Sequence, residues 1–275
     1  MKLSFSTLGC PNWNLKKIIA KAVEYGYDGI EMRGLLDDLD ITQTPQFTRD
    51  ARQTLTRFHD AGLEVACFSS SVFMSQKEVV DETKDNDEIK RYADLCEKFG
   101  TKFIRVFGGE ISRKSWEQAI DAAAKRLEKI IAVLKNRDIK VVIETHDAWM
   151  SGVHFRKLME LVKSESIGVL WDVNHPFMFI KEEPEKTYQE MGKWVLHTHW
   201  KDSIISKNSQ HGFLPCLMGE GVLPHRDIFR VLRSGGYNGY LSLEYEKRWH
   251  PEIPEPEIAF PQYAQYMKRL INEEK

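Results

Sequence analysis

Short apolar runs alternate with amphipathic stretches along all 275 residues of the chain. The runs at 3–8, 29–33, 64–69, 103–107, 140–145, 167–172, 195–199 and 240–245 are short and built around apolar residues. That is the pattern of parallel strands buried on both faces. Between them, 15–25, 47–60, 77–99, 116–136, 154–163, 185–191, 226–234 and 257–272 read as amphipathic helices. In 116–136 the apolar Ile120, Ala123, Ala124, Leu127, Ile130, Ile131 and Leu134 recur at helical spacing. Gly26, Gly62, Gly100 and the Gly235-Gly236 pair follow four of these stretches, where a helix C-terminus calls for a left-handed residue. A strand–helix unit repeated about eight times, with no helix-only block, predicts a closed parallel barrel, the (β/α)8 TIM barrel, as a single domain spanning 1–275. A doubly wound open sheet is the other arrangement with this rhythm. However, Gly9-Cys-Pro-Asn-Trp13 after the first strand is not a G-x-G-x-x-G turn, and Gly108-Gly109 is too short to be one.

Composition narrows the classes. Hydrophobic residues make up 42% and charged residues 29%, enough for a full core and no signature of disorder. A formal net charge of −2 argues against a nucleic-acid partner held by phosphate neutralisation. No apolar stretch is long enough to span a bilayer, and the amino terminus enters strand-like sequence directly, so neither membrane insertion nor an export signal is expected. The scattered Cys10, Cys67, Cys96 and Cys216 form no C-x-x-C pair, which fits a reduced, cytoplasmic protein. The acidic stretch 77–88 reads as a solvated loop and helix start.

Chemistry concentrates at strand ends in the second half. Glu144, Asp172, His199 and Glu244 lie at or near the ends of the fifth to eighth apolar runs, the face of a barrel where functional groups project. Three buried carboxylates and an imidazole brought together there need a cation; an ion-pair network is the plain alternative. Mostly oxygen with one nitrogen, the set suits Mn²⁺ or Mg²⁺ and tolerates Co²⁺ or Zn²⁺. His146, two residues beyond Glu144, is placed to reach the same pocket. His197 shares its strand face with His199 and reads as a deeper, supporting group. Glu31 and Arg33 end the second run and are candidates for the pocket's far side, while Arg105 reads as a buried ion-pair partner. Trp13, Trp149, Phe73 and Trp249 are candidates for an apolar wall against a sugar ring.

These motifs resemble the xylose isomerase-like TIM barrels, also called the sugar phosphate isomerase/epimerase superfamily. The resemblance covers nearly the whole chain and rests on Glu144, the Asp172-Val-Asn-His175 segment, His199-Trp-Lys-Asp202, Gly219-Glu-Gly221 and Gly239-Tyr-Leu-Ser-Leu-Glu244. It implies Glu144, Asp172, His199 and Glu244 as ligands of one divalent metal ion, with Glu144 and Glu244 also the catalytic acid/base pair. It further implies that His175 and Glu220 meet substrate, and that Lys201 and Asp202 form the family's H-x-K-D turn, bringing Lys201 to substrate or to an ion pair. The substrate class is a small carbohydrate or cyclitol.

The first expectation is an isomerase or epimerase that removes a proton beside a carbonyl and returns it elsewhere. The alternative is a dehydratase on a keto-inositol or dehydroshikimate-like substrate, where the same carbanion expels a β-hydroxyl. One departure bears on this choice. Ketose 3-epimerases of the superfamily usually carry an arginine shortly after the metal histidine, and 202–207 has none. Abasic-site endonuclease chemistry ranks last, because the third and fourth strand ends, Ala66-Cys-Phe-Ser and Val106-Phe-Gly-Gly, lack the extra histidines of a trinuclear zinc site. Self-association into a homo-oligomer is left open.

Overall fold

The computed structural model describes residues 1–275 except 76–81, 112–113, 208, 210 and 275. Eight parallel strands close into a barrel in the order β1-β10-β7-β6-β5-β4-β3-β2. They are β1 (Lys2–Ser6), β2 (Gly29–Met32), β3 (Glu64–Ser75), β4 (Phe103–Gly109), β5 (Lys140–Glu144), β6 (Ile167–Asp172), β7 (Val195–Trp200) and β10 (Tyr240–Leu243). Each lies on an expected apolar run. Their continuous burial, as in the wholly buried β6, is what excludes an alternating pattern.

The outer layer comprises α1 (Leu15–Tyr25), α2 (Ala51–Asp60), α3 (Glu82–Phe99), α4 (Trp116–Val133), α5 (Gly152–Val162), α7 (Pro184–Met191), α8 (His225–Ser234) and α9 (Pro256–Glu273). Local chemistry sets several boundaries. Asn14 caps α1 by accepting from Lys17 N at 2.9 Å. Ser115 and Gln118 form a reciprocal capping box at the start of α4. Gly26 and Gly100 end their helices at φ of +71° and +70°, which only glycine adopts without cost. α2 starts later than the periodicity suggests, because Phe47 turns into the core ahead of it. The expected helix 77–99 is found from Glu82; its first five positions, with that part of the acidic stretch, lie outside the described residues. No helix among the described residues is long and apolar enough to cross a membrane.

Two elements follow no expectation. The seven-residue α6 (Asn174–Ile180) begins directly after β6, where Asp172 Oδ1 accepts from Asn174 N at 2.8 Å and His175 N at 3.2 Å. An antiparallel hairpin, β8 (Asp202–Ile205) with β9 (Phe213–Cys216), rises after β7. Asp202 pegs it: the buried carboxylate accepts from the backbone N–H groups of Ser203, Gly219, Gly221 and Leu223 at 2.8–3.3 Å. Asp202 is thus a backbone anchor and makes no ion pair with Lys201.

The aromatic-wall expectation is largely corrected. Trp13 is buried edge-on to Phe260, with ring centroids 5.6 Å apart. Trp149 is fully buried, packed edge-on to Trp116 at 5.4 Å and against the backbone of Gly108 on β4. Trp249 is 52% exposed. Phe73 is off the cavity wall, stacked on Phe107 at 4.9 Å, and Phe107 in turn meets the His146 ring at 4.9 Å. The contact between Trp149 and Gly108 matters because it fastens the loop after β5, which carries His146, onto β4. A Cβ at residue 108 would run into the Trp149 indole. Gly108→Ala is therefore expected to lower stability by about 1–3 kcal/mol, read as a shifted urea midpoint with an unchanged m-value.

Candidate metal centre and cavity

The ends of β5, β6, β7 and β10 bring four side chains to one point. Glu144 and Asp172 are the last residues of their strands, Asp172 lies in register with His199, and Glu244 N donates to Trp200 O at 3.0 Å as it leaves β10. Each of Glu144, Asp172, His199 and Glu244 offers one ligand atom, and these atoms all lie within 4.8 Å of one another. All four residues are buried. His199 Nδ1 stands 2.9 Å from Glu144 Oε1 and 3.3 Å from Glu244 Oε2. The Lys201 ammonium bridges Asp172 Oδ2 at 2.9 Å and Glu244 Oε2 at 2.6 Å. Arg105, also fully buried, holds Nε 3.4 Å from Glu144 Oε2 and lays its guanidinium over the Phe107 ring at 3.8 Å. This is the ion-pair role the sequence suggested for it.

The acids and bases are strongly coupled. Burial raises Asp172 to about 6, with Lys201 opposing and Glu244 adding to the rise. Burial also works to raise Glu144 and Glu244, but the cations around them outweigh it and both lie below the usual carboxylate range. His199 and Lys201 show the converse: burial disfavours their charge, and the surrounding carboxylates push both well above their ordinary values. Glu144 Oε2 and Asp172 Oδ2 are buried and meet the charged groups of Arg105 and Lys201 without a well-directed hydrogen bond. Hard oxygen donors with one imidazole fit a divalent cation.

Above this cluster lies a cavity of about 350 Å³, at the small end for ligand pockets. His146, His175 and Lys201 line it, as the sequence suggested, together with Asp147, Phe179 and Glu246. The His146 and His175 rings meet edge-on with centroids 4.6 Å apart. His175 Nδ1 lies 2.9 Å from Thr145 O; a carbonyl only accepts, so Nδ1 carries the hydrogen and Nε2 is a free acceptor. Burial, then Lys201 and His146, hold His175 well below the usual imidazole range. His146 Nδ1 lies 2.9 Å from Asp147 Oδ1. Burial works against its charge, but Asp147 and the nearby carboxylates raise it to about 9.

Some expected site residues are elsewhere. Glu220 is exposed and absent from the cavity wall, in a turn whose glycines serve to wrap Asp202. Arg33 is buried and donates to Leu39 O at 3.3 Å, so it does not line the pocket, and Glu31 lies deeper still. Glu144 and Glu244 are not on the cavity wall either. Burial raises the Cys10 thiol and pushes Cys216 up to about 12, so neither is a thiolate near neutral pH. Glu246, Phe179, Phe213 and His250 were not foreseen as wall residues. For Glu246 a signal existed, since it follows Glu244 by two; the others sit on α6, the hairpin and a loop that no periodicity marks.

Comparison with known proteins extends this picture. An inosose dehydratase of Clostridium botulinum (strain Alaska E43 / Type E3) is 23% identical over 258 residues, covering 83% of this chain and 82% of that protein. The crystal structure of AsbF of Bacillus anthracis, a probable 3-DHS dehydratase involved in petrobactin synthesis, superposes with a TM-score of 0.78 at 19% identity, over 98% of this chain and 99% of the other. The IOLI protein with a bound zinc atom gives 0.78 at 18% identity over 99% of both chains. These two likenesses establish the fold. With dehydratases among its relatives and acids, bases and cations converging at the barrel mouth, the chain is an enzyme. A family model described as xylose isomerase-like TIM barrel matches residues 19–270, and the chain belongs to that family.

Proposed function

We propose that this chain is a metal-dependent dehydratase acting on a small polyhydroxylated cyclic ketone, of the inosose or dehydroshikimate kind. The observation that carries the reading is the His146–His175 pair, one imidazole driven toward its charged form and the other toward its neutral form, on the wall of a cavity above the acidic cluster. The similarity to inosose dehydratase supports elimination over the isomerase or epimerase chemistry that the motifs first suggest.

Glu144, Asp172, His199 and Glu244 would hold one divalent cation, for which Mn²⁺ or Mg²⁺ suits the donors best and Co²⁺ or Zn²⁺ is tolerated. When bound, the cation supplies Lewis-acid stabilisation of the negative charge that gathers on a carbonyl oxygen as the neighbouring carbon loses its proton. We assign proton transfer to the two imidazoles and not to Glu144 and Glu244, because both glutamates are committed to His199, Lys201 and Arg105 below the cavity. His175 takes the carbon-bound proton on its free Nε2. The β-carbon–oxygen bond then breaks, and the imidazolium of His146 gives its proton to the departing hydroxyl, which leaves as water. One base gains a proton and one acid loses one, and the pair resets by exchange of protons with solvent in the cavity. Phe179, edge-on to Phe213 at 5.0 Å, offers an apolar surface to a ring's C–H face.

Three outcomes are expected. Mass spectrometry of reactions with inososes and dehydroshikimate-type ketones will find a product lighter by one water; a product of unchanged mass formed with solvent deuterium uptake returns the assignment to isomerase or epimerase. His146→Asn and His175→Asn will each lower kcat by about 10²- to 10⁴-fold while elemental analysis finds the metal content intact, and a variant with parental turnover removes that imidazole from the mechanism. Chelation will abolish turnover, added Mn²⁺ or Mg²⁺ will restore it, and Asp172→Asn will need far more metal for the same recovery. Full activity after exhaustive metal removal defeats the metal-dependent reading.

A further inference from the structure

One layer below the acidic cluster, a single carboxylate holds four side chains. Glu31, on β2, is 1% exposed. Its Oε1 accepts from Ser69 Oγ at 2.6 Å and contacts His199 Nε2 at 2.8 Å. Its Oε2 contacts His197 Nε2 at 2.8 Å and accepts from Ser242 Oγ at 3.0 Å. The donors come from β3, β7 and β10, so one side chain ties four strands together inside the barrel. A carboxylate only accepts, so the hydrogen sits on Nε2 of both rings. His199 Nδ1 is then the nitrogen that faces Glu144 and Glu244.

We propose that Glu31 is a positioning residue that fixes the ring of His199, holding Nε2–H away from the metal centre and presenting Nδ1 to it. The inference rests on the reading of Glu144, Asp172, His199 and Glu244 as that centre. The geometry leaves the ring little freedom. Turning the carboxylate breaks hydrogen bonds at both oxygens, flipping the imidazole puts ring carbon where Nε2 meets Glu31, and moving the hydrogen to Nδ1 sets a bare Nε2 against a bare oxygen in a site that is 0% exposed at His199. His197 and Ser242 hold Oε2 so that Oε1 stays aimed at His199. Carboxylates that orient a metal-bound histidine in this way sharpen affinity without touching the ion. The same atoms exclude a second reading. Glu31, His197 and His199 lie within 4.8 Å of one another, but the four hydrogen bonds satisfy both oxygens of the carboxylate and leave it no vacancy for a second cation.

The test is Mn²⁺ titration of the full chain and of Glu31→Gln, followed by electron paramagnetic resonance. It is joined to nitrogen NMR of the histidine-labelled parent chain loaded with Cd²⁺. Glutamine keeps the shape but turns one acceptor into an N–H₂ that faces other donors. The expected result is one Mn²⁺ per chain in both proteins, with Kd raised about 10- to 100-fold in the variant. In the parent, metal–nitrogen coupling should fall at His199 Nδ1, with the proton retained on Nε2. Unchanged Kd in a folded variant, coupling through Nε2, or two Mn²⁺ per chain overturns the proposal. Should Glu31→Gln not fold, the coupling measured in the parent decides alone. A parent chain that binds no divalent metal defeats the metal centre itself, a result distinct from an unchanged Kd, which removes only the role of Glu31.

Discussion

Charge balance among buried carboxylates is the constraint around which the mouth of this barrel is built. Glu144, Asp172 and Glu244 meet in buried positions. Two like charges about 4 Å apart repel by roughly 4 kcal/mol even at an effective dielectric of about 20, so the group cannot persist uncompensated. His199, Lys201 and Arg105 supply the opposing charge from β7, from the residue after β7, and from β4. The rest follows from holding these six groups in place. β5, β6, β7 and β10 deliver Glu144, Asp172, His199 and Glu244, Trp149 clamps the β5 loop, and Asp202 anchors the hairpin that overlooks the cavity.

Much of this was legible in the sequence. Eight apolar runs mark the eight barrel strands, and 167–172 coincides with β6 end for end. The convergence of Glu144, Asp172, His199 and Glu244 was legible for the same reason, since four polar residues at equivalent ends of apolar runs have few bland explanations. What could not be read depends on contacts distant in sequence. α6 has seven residues, too few for a period, and its start is set by the Asp172 carboxylate. The hairpin has Ser, Asn and Gly at 206–212, as a turn does, but its two strands have four residues each, too few to show a period, and it is held by Asp202 reaching across 17 residues to Gly219. Glu220 was misplaced because its flanking glycines suggest a loop near substrate, whereas they let the chain pass close to Asp202. Glu31 was assigned to the pocket wall, since a strand end does not reveal how deep in the lumen its side chain lies.

The site is stratified, and the strata carry different physical duties. At the deepest level Glu31, His197, Ser69 and Ser242 form a hydrogen-bonded group in which both carboxylate oxygens are used and His197 Nδ1 is left without a partner. The acidic level above it is charged and held by His199, Lys201 and Arg105. At the top, imidazoles and aromatic rings face open space. The most fully hydrogen-bonded carboxylate lies deepest, an order expected where accurate placement must be handed upward to groups that meet a substrate.

Asp172 belongs to two of these levels at once. One of its oxygens accepts the opening N–H groups of α6, and the other faces Lys201 and the ligand cluster. α6 in turn carries His175 and Phe179. A single planar group thus joins the acid cluster to the helix that lines the chamber, so the two are placed by the same side chain.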